Sequence, residues 1–200
     1  MLKRAFDVTL ASLGLVVSAP LWALIALAIR IEDGGPVFFT QARVGQGGAP
    51  FRAFKFRSMV VAPGGSAPRQ AGAGDARITR VGRVLRATAM DELPQLWNIF
   101  RGDMSVVGPR PLMPGEIELR GDGRNVPLHA FRNYEARHSV RPGLTGLAQV
   151  FAPRDLRRAH KFRVDLLYVR RASLWLDLRL VALSFWITCR GRWEHRGPKL

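Results

Sequence analysis

The longest run of residues without a charge lies near the start of the chain, from Val8 to Ile29, and most of its residues are apolar. As one helix these 22 uncharged residues would be about 33 Å long, enough to cross the hydrocarbon core of a bilayer. Pro20 lies near the middle, lacks an N–H, and its ring clashes with the carbonyl of Val16. Ser18 could donate a hydrogen bond to a freed carbonyl nearby. The pattern predicts either a kinked transmembrane helix or a helix–break–helix that enters the membrane and returns, with the break at Ser18 and Pro20.

The charges that flank this run bear on the choice between the two topologies. Lys3 and Arg4 precede it, and further basic residues follow from Arg30 onward. Basic flanks prefer the cytoplasmic side of a membrane, and a true span would have to export one of them. We therefore expect a re-entrant membrane helix over residues 1–31 and a cytosolic domain over residues 32–200.

Beyond the membrane segment, the periodicity of apolar residues predicts a mixed fold. Residues 37–39 and 51–56 have the patterns of two strands and predict a short β-hairpin. Residues 76–90 place apolar side chains at helical spacing. Residues 154–188 are largely helical, and their apolar last part suits a core or interfacial helix. The expected fold class is α/β, mostly α with a short β-hairpin, with amphipathic helices at the membrane interface.

A shorter helix is predicted from Asp91 to Arg101. Apolar residues recur within it at i, i+3, i+4 and i+7, namely Leu93, Leu96, Trp97 and Phe100. Gly102 is the residue type expected just after a helix. Glycine, proline and polar residues predict loops or turns over 62–75, 106–115, 121–125 and 137–150.

The net charge of the chain is +16, from 31 lysines and arginines against 15 acidic residues. Such an excess predicts an anionic partner, which could be a nucleic acid, an anionic lipid or a phosphorylated substrate. Cys189 is the single cysteine, so an internal disulfide is excluded. The four histidines do not have the spacing of zinc ligands.

Two adjacent carboxylates, Asp91 and Glu92, stand out against this basic background. A helix N-terminus favours ionised carboxylates, so one interpretation is a helix cap with Thr88 as the N-cap. The other is phosphate chemistry, since an ionised aspartate can attack phosphorus and Mg²⁺ could bridge carboxylate and phosphate oxygens. Composition alone does not decide between them. The cations that would bind a diphosphate are Lys55, Arg57, Arg86 and Arg110.

Five blocks of the sequence carry a family resemblance. They are KRAFDVTLASLGLVVSAPLWALIALAIRIEDGGPVFFTQARVG, FKFRSM, RITRVGRVLRATAMDELPQLWNIFRGDMSVVGPRP, RHSVRPGLTGLAQV and DLLYVRRASLWLDLRL. In this order they resemble the bacterial sugar transferases, monotopic polyprenol-phosphate phosphoglycosyl transferases that begin lipid-linked glycan assembly. The blocks cover most of the chain, and the one around DELPQLWN is long and highly specific.

The resemblance implies that a UDP-sugar gives its sugar-1-phosphate to undecaprenyl phosphate, with release of UMP. Asp91 corresponds to the family's nucleophile, which forms a covalent phosphosugar–aspartate intermediate, and Glu92 to the carboxylate that assists it. Mg²⁺ is the implied cofactor, with Asp91 as its candidate ligand. The family's basic residues correspond to Lys55, Arg86 and Arg110, and Arg57 belongs to the same FKFRSM block.

The resemblance also implies a place in the cell and a pathway class. The enzyme would lie on the cytoplasmic face of the bacterial inner membrane, in contact with anionic lipids, and begin exopolysaccharide, capsule, O-antigen or glycoprotein glycan assembly. Ala19-Pro20 replaces the family's usual Ser-Pro at the break, and Leu147 stands where the family often has tryptophan. The identity of the sugar and the oligomeric state, including a homodimer, stay open.

Two other classes of protein fit part of the sequence. A nucleic-acid-binding protein would account for the charge, and a single-span scaffold with a basic cytoplasmic face would account for the charge and the apolar run. Neither gives the acidic pair a role beyond capping, so we do not expect nucleic acid as a partner.

Overall fold

The computed structural model describes residues 1–60, 75–119, 125–153, 156–191 and 193. Helices α1 to α7 are Leu2–Asp33, Arg80–Ala87, Gln95–Arg101, Tyr134–His138, Leu147–Phe151, Arg158–Arg171 and Leu174–Cys189. Strands β1 to β6 are Phe38–Val44, Pro50–Phe56, Ser105–Val107, Ile117–Leu119, Asn125–Pro127 and Gly143–Thr145. The protein is mostly helical with small sheets, which confirms the expected α/β fold class. Most of the predicted loop over 62–75 and turn over 121–125 lies outside the described residues.

Helix α1 is continuous, with Pro20 inside it, so the two separate helices expected on either side of the break are not present. One proline removes a single backbone donor, and a long helix accommodates this loss as a local distortion. The Ser18 hydroxyl donates to the Gly14 carbonyl at 2.6 Å, and not to the Val16 carbonyl opposite the proline ring. By length and composition α1 is apolar enough to cross a membrane. Re-entry stays a prediction.

The N-terminal end of α1 is bonded to the end of α3. The Arg4 guanidinium donates to the carbonyls of Ile99 at 2.6 Å and Phe100 at 2.7 Å, which are among the last carbonyls of α3. Lys3 pairs with Asp177 of α7 at 2.8 Å. The basic residues that suggested a cytoplasmic flank therefore bind the globular part of the protein.

The C-terminal end of α1 is bonded to a different part of the same globular body. The Glu32 carboxylate accepts from the backbone N–H groups of Arg80 at 2.6 Å and Val81 at 3.0 Å, the free donors at the start of α2. Asp33 accepts from the Arg57 guanidinium just beyond β2. Between the two ends, the apolar side chains exposed on α1 include Leu13, Val16, Val17, Leu24 and Leu27.

The predicted hairpin is confirmed as β1 and β2, which pair antiparallel from Phe38 opposite Phe56 to Val44 opposite Pro50. A buried asparagine fixes this hairpin to α3. Asn98 accepts from the Phe54 N–H at 3.0 Å and donates to the Arg52 carbonyl at 2.7 Å. Strand β2 is therefore held in a defined position against α3, with Lys55 at its end.

The segment 137–150, which was expected to be a loop, contains β6 and α5, and the expectation is wrong there. Strand β6 pairs parallel with β3, and their backbones approach so closely that a Cβ at Gly143 would lie 2.0 Å from the Gly108 nitrogen. The glycines that suggested a loop thus permit this contact. The helical segment predicted over 154–188 is divided at Ala172 and Ser173.

The core lies between α1, α3, β3, α6 and α7. Its largest buried side chains include Ile99, Met104, Val107, Tyr168, Leu180 and Ile187. The two walls of the site described next, β2 on one side and the loop after β3 on the other, both rest on this core.

Candidate active site

Asp91 and Glu92 lie in a short 3-10 turn, Met90–Glu92, between α2 and α3. Helix α3 itself begins only at Gln95 and ends as predicted at Gly102, which has a φ of 99°. The suggested Thr88 N-cap is wrong: Thr88 ends α2, and its hydroxyl donates back to the Val84 carbonyl at 2.9 Å. The acidic pair is therefore not explained as the cap of α3.

The two carboxylates are buried, with 8% and 9% of their residue surfaces exposed, and their contacts differ. Oε1 of Glu92 accepts from Lys55 Nζ at 2.5 Å and from Arg110 Nη2 at 2.7 Å. Asp91 Oδ2 lies 3.8 Å from Lys55 Nζ. Glu92 thus bonds to two cations that come from opposite walls, and Asp91 lies beside them without displacing them.

The same contacts separate the acidities of the pair. Burial, with a further contribution from the charge of Glu92, raises the pKa of Asp91 to about 6, against the opposing effect of Lys55. Burial also acts on Glu92, but the cations Arg110 and Lys55 outweigh it and hold the pKa of Glu92 well below its usual range. At neutral pH Asp91 is therefore mainly ionised and not bound to a cation at hydrogen-bond distance, as a nucleophile requires.

A cleft of about 1040 Å³ contains this pair. Four cations predicted to bind phosphate line it, Lys55, Arg57, Arg86 and Arg110. The Arg110 side chain is still 47% exposed although it contacts Glu92, so it can also reach a ligand in the cleft. The structure thus brings together every residue of the predicted site that lies outside α1.

Arg57 differs from the other predicted phosphate ligands. Its guanidinium donates to Asp33 and, through Nε, to the Pro36 carbonyl at 2.6 Å, and only 6% of its surface is exposed. These contacts fasten the end of α1 to β2. A role for Arg57 in binding phosphate stays a prediction.

The donor set bears on the Mg²⁺ prediction. Among the described residues, no group of three or more His, Cys, Asp or Glu side chains is placed to bind a metal ion. Mg²⁺ in phosphate-transfer sites typically binds one or two carboxylates together with phosphate oxygens of the substrate. Asp91, next to Glu92 and lining a cleft that also contains four cations, fits that pattern.

Comparison with known proteins identifies the family. A family model described as bacterial sugar transferase matches residues 1–191. The chain belongs to the bacterial sugar transferase family. The recognition made from the five sequence blocks is confirmed.

Several relatives within this family carry functional names. The chain is 46% identical over 185 residues to a UDP-glucose:undecaprenyl-phosphate glucose-1-phosphate transferase of Caulobacter vibrioides, covering 90% of this chain and 66% of that protein. It is 45% identical over 191 residues to an undecaprenyl-phosphate glucose phosphotransferase of Komagataeibacter xylinus, covering 91% and 35%. The exopolysaccharide production protein ExoY of Rhizobium meliloti is 38% identical over 210 residues, covering 98% and 88%. The chain therefore spans only part of the first two relatives.

Several residues that build the site were missed by sequence reasoning. They bond to residues that are far away in the sequence: Glu32 binds α2, Asp33 binds Arg57, Asn98 binds β2, and the buried Arg137 binds the loop that carries Arg110. Asn98 lies between Trp97 and Phe100, two of the apolar positions that defined α3, so the helix pattern placed it without indicating its partner. Such long-range pairs leave no periodic signal in one sequence.

Proposed function

We propose that this protein transfers a sugar-1-phosphate from a UDP-sugar to undecaprenyl phosphate, with release of UMP, through a covalent intermediate on Asp91. The observation that carries the proposal is the buried Asp91 carboxylate beside Glu92, which binds Lys55 and Arg110 across a cation-lined cleft. The names of the Caulobacter and Komagataeibacter relatives support the lipid acceptor and the type of reaction.

In the first step, a carboxylate oxygen of Asp91 attacks the phosphorus that carries the sugar. The bond between that phosphorus and the oxygen bridging it to UMP breaks, and UMP leaves with the electron pair. Lys55 and Arg110 are placed to stabilise negative charge on the phosphate oxygens. Before substrate arrives, Glu92 holds these two cations in position and compensates their charge.

In the second step, a phosphate oxygen of undecaprenyl phosphate attacks the same phosphorus. The acyl-phosphate bond to Asp91 breaks, the carboxylate is regenerated, and the lipid-diphosphate sugar leaves. Asp91 is the residue that would hold Mg²⁺ together with the substrate, and the ion would supply positive charge against the phosphate oxygens. No net proton transfer is needed, which agrees with a cleft rich in permanent cations.

We further propose that α1 is re-entrant and places the enzyme on the cytoplasmic face of the inner membrane. Both ends of α1 are bonded to one globular body, Arg4 to α3 and Glu32 to α2, whereas a spanning helix would separate its ends by the bilayer. Exposed aromatic and apolar side chains on α3 and α7 support an interfacial position; they are Trp97, Phe100, Trp175, Leu178, Phe185 and Trp186.

The test of the reaction is release of UMP by detergent-purified protein, given undecaprenyl phosphate, Mg²⁺ and a panel of UDP-sugars that starts with UDP-glucose. We expect release that falls by at least about 10³-fold in Asp91→Asn and is unchanged in Glu135→Gln, a substitution of an exposed carboxylate. Without acceptor, the wild type should release about one UMP per enzyme and gain the mass of a sugar phosphate on the peptide containing Asp91. A folded Asp91→Asn protein with full activity would exclude Asp91 as the nucleophile.

The topology is tested separately with a reporter tag at each terminus. We expect both tags on the cytoplasmic side, because Lys3 and Arg4 bind the same body as the rest of the chain. A tag in the periplasm at Met1 would exclude re-entry and favour a single span.

A further inference from the structure

The loop that carries Arg110 is fixed residue by residue through its backbone. Gly108, Pro109 and Leu112 bond to backbone groups of other segments at 2.9, 3.0 and 2.9 Å. Two carbonyls are instead bound by arginine side chains. Arg137 Nη2 donates to the Arg110 carbonyl at 2.6 Å, and Arg43 Nη1 donates to the Pro111 carbonyl at 3.1 Å.

The Arg137 side chain is buried and is held by contacts with several neighbouring residues. Only 3% of its surface is exposed. Nε donates to Asp165 Oδ2 at 2.8 Å, and Nη1 lies 3.3 Å from His138 Nε2. His138 Nδ1 lies 2.7 Å from the Tyr134 carbonyl, so Nδ1 carries the proton and Nε2 accepts from the guanidinium. The guanidinium also lies over the Phe162 ring at 4.8 Å.

This arrangement requires a planar group with several donors in fixed directions. A lysine ammonium could pair with Asp165 or reach the Arg110 carbonyl, but it cannot reproduce the flat fork that bonds to three partners at once and packs on a ring. The carbonyl bound by Arg137 belongs to Arg110 itself, so a shift at this contact moves the Cα from which the Arg110 side chain reaches Glu92 and the cleft.

We propose that Arg137 is a positioning residue for the transfer reaction, because it fixes the backbone of Arg110 and so aims the Arg110 guanidinium at the substrate phosphate. The proposal rests on the proposed function for the identity of that phosphate. Asp165 and His138 in turn orient Arg137. Arg137 need not touch the substrate, and its effect on the reaction passes through Arg110.

The experiment is a double-mutant cycle on UMP release with Arg137→Lys and Arg110→Ala, and with Arg132→Lys, an exposed arginine nearby, as the matched control. We expect Arg137→Lys to lower kcat/KM by about 10- to 100-fold, as a small displacement of a phosphate-binding group does. In the Arg110→Ala background the same substitution should lower kcat/KM by no more than about twofold, because the guanidinium that Arg137 positions is absent. Arg132→Lys should change neither background.

An equal loss in both backgrounds would overturn the proposal, since it would mean that Arg137 acts on folding or on another part of the site. Full activity of Arg137→Lys beside an impaired Arg110→Ala would also overturn it, while leaving the proposed function intact. If Arg137→Lys does not fold, Asp165→Asn replaces it: it keeps an acceptor for Nε, and a smaller loss that again disappears in Arg110→Ala is expected.

A wild-type protein that releases no UMP from any UDP-sugar would contradict the proposed function and not the role of Arg137. The same cycle measured on UDP affinity by calorimetry would then decide that role. Coupling between the two substitutions in UDP binding supports the positioning role, and independent effects exclude it.

Discussion

Two clusters with the same set of charges lie in different surroundings, and in each one lysine lies between two buried carboxylates. They are the cleft cluster, Lys55, Asp91 and Glu92, and the anchor cluster, Lys3, Asp7 and Asp177. Each lysine ammonium is close to one carboxylate, at 2.5 Å in the cleft cluster and 2.8 Å in the anchor cluster, and farther from the other, at 3.8 Å and 3.7 Å. Charge and distance alone do not distinguish them.

The other partners of the carboxylates do distinguish them. In the anchor cluster, Asp177 accepts from the Tyr168 hydroxyl at 2.8 Å, and Asp7 accepts from the Ser105 hydroxyl at 2.9 Å and the Val106 N–H at 3.0 Å. These donors are neutral, buried and surrounded by the core. In the cleft cluster the further donor is Arg110, which faces a large cleft. A buried acid pair is suited to chemistry here because the cations that contact it also line an open cleft.

Asp91→Asn should show the widest separation between activity and stability. Activity should fall by at least about 10³-fold, because the proposed nucleophile is lost. The free energy of unfolding should stay the same or rise, because burial penalises the charge that the substitution removes. UMP release measures the expected loss of activity, and urea unfolding measures the expected change in stability. A clear loss of stability would place Asp91 with the anchor cluster as a structural acid.

Asp177→Asn should behave in the opposite way. The free energy of unfolding should fall by about 1–3 kcal/mol, since Lys3 and the Tyr168 hydroxyl lose a charged acceptor. The 38% exposure of the Lys3 side chain lets solvent screen part of this loss. Activity of the protein that remains folded should stay within about threefold of the wild type. A loss comparable to that of Asp91→Asn, with stability intact, would show that the anchor cluster takes part in the reaction.

The contrast also explains what the sequence could and could not predict. The hairpin, the end of α3 at Gly102 and the cations around Asp91 follow from local patterns, and the structure brings those cations to one cleft. The anchor cluster joins Lys3 to Asp177, which lies 174 positions away in the sequence. Lys3 was interpreted only as a flanking charge of the membrane segment, because its partner lies on a helix that the sequence could not place beside it.

The apolar pattern of α3 also does not show which of its side chains are buried. The apolar positions predicted in α3 include Trp97 and Phe100, which stack with ring centroids 5.5 Å apart and are both exposed. The polar Asn98 is fully buried. Periodicity identifies an apolar face, but it does not say whether protein or membrane covers that face. In a protein at a membrane surface, the buried side can therefore be the polar one.

The cleft cluster should also be distinguished by its response to pH. Burial raises the pKa of Asp91 to about 6, so kcat/KM should fall about tenfold per pH unit below that value, as the proposed nucleophile becomes protonated. The contribution of Asp91 to stability has the opposite sign. Its folded-state pKa lies above the unfolded value of about 4, so this contribution is greatest below pH 4 and is lost as the pH rises through about 6.

Rate profiles and unfolding curves between pH 4 and 8 measure these two effects. The difference in stability between wild type and Asp91→Asn should change across this range, and the difference between wild type and Glu135→Gln should not change near pH 6. A kcat/KM that stays constant from pH 7 to 5 would show that the pair titrates lower and that the cations act on Asp91 as strongly as on Glu92.

The smallest effect concerns the backbone that presents the cleft cluster. Ala89 has a φ of 56°, and among the described residues it is the only non-glycine residue with a positive φ. A left-handed alanine costs about 1–2 kcal/mol, and part of the relief from a glycine is offset by the greater freedom of the unfolded chain. Ala89→Gly should therefore raise the free energy of unfolding by about 0.5–1 kcal/mol. Ala87→Gly, within the last turn of α2, should lower it by a similar amount.

The activity of Ala89→Gly shows whether the left-handed backbone at Ala89 affects the reaction. Asp91 and Glu92 follow Ala89 after Met90, and the Glu92 side chain is already fixed by contacts with β2 and the Arg110 loop. We therefore expect Ala89→Gly to change kcat/KM by less than about threefold. A larger loss in a more stable protein would mean that the left-handed residue, and not those contacts, sets the position of Asp91. The anchor cluster has no such residue beside it, so an effect of this kind would belong to the cleft cluster alone.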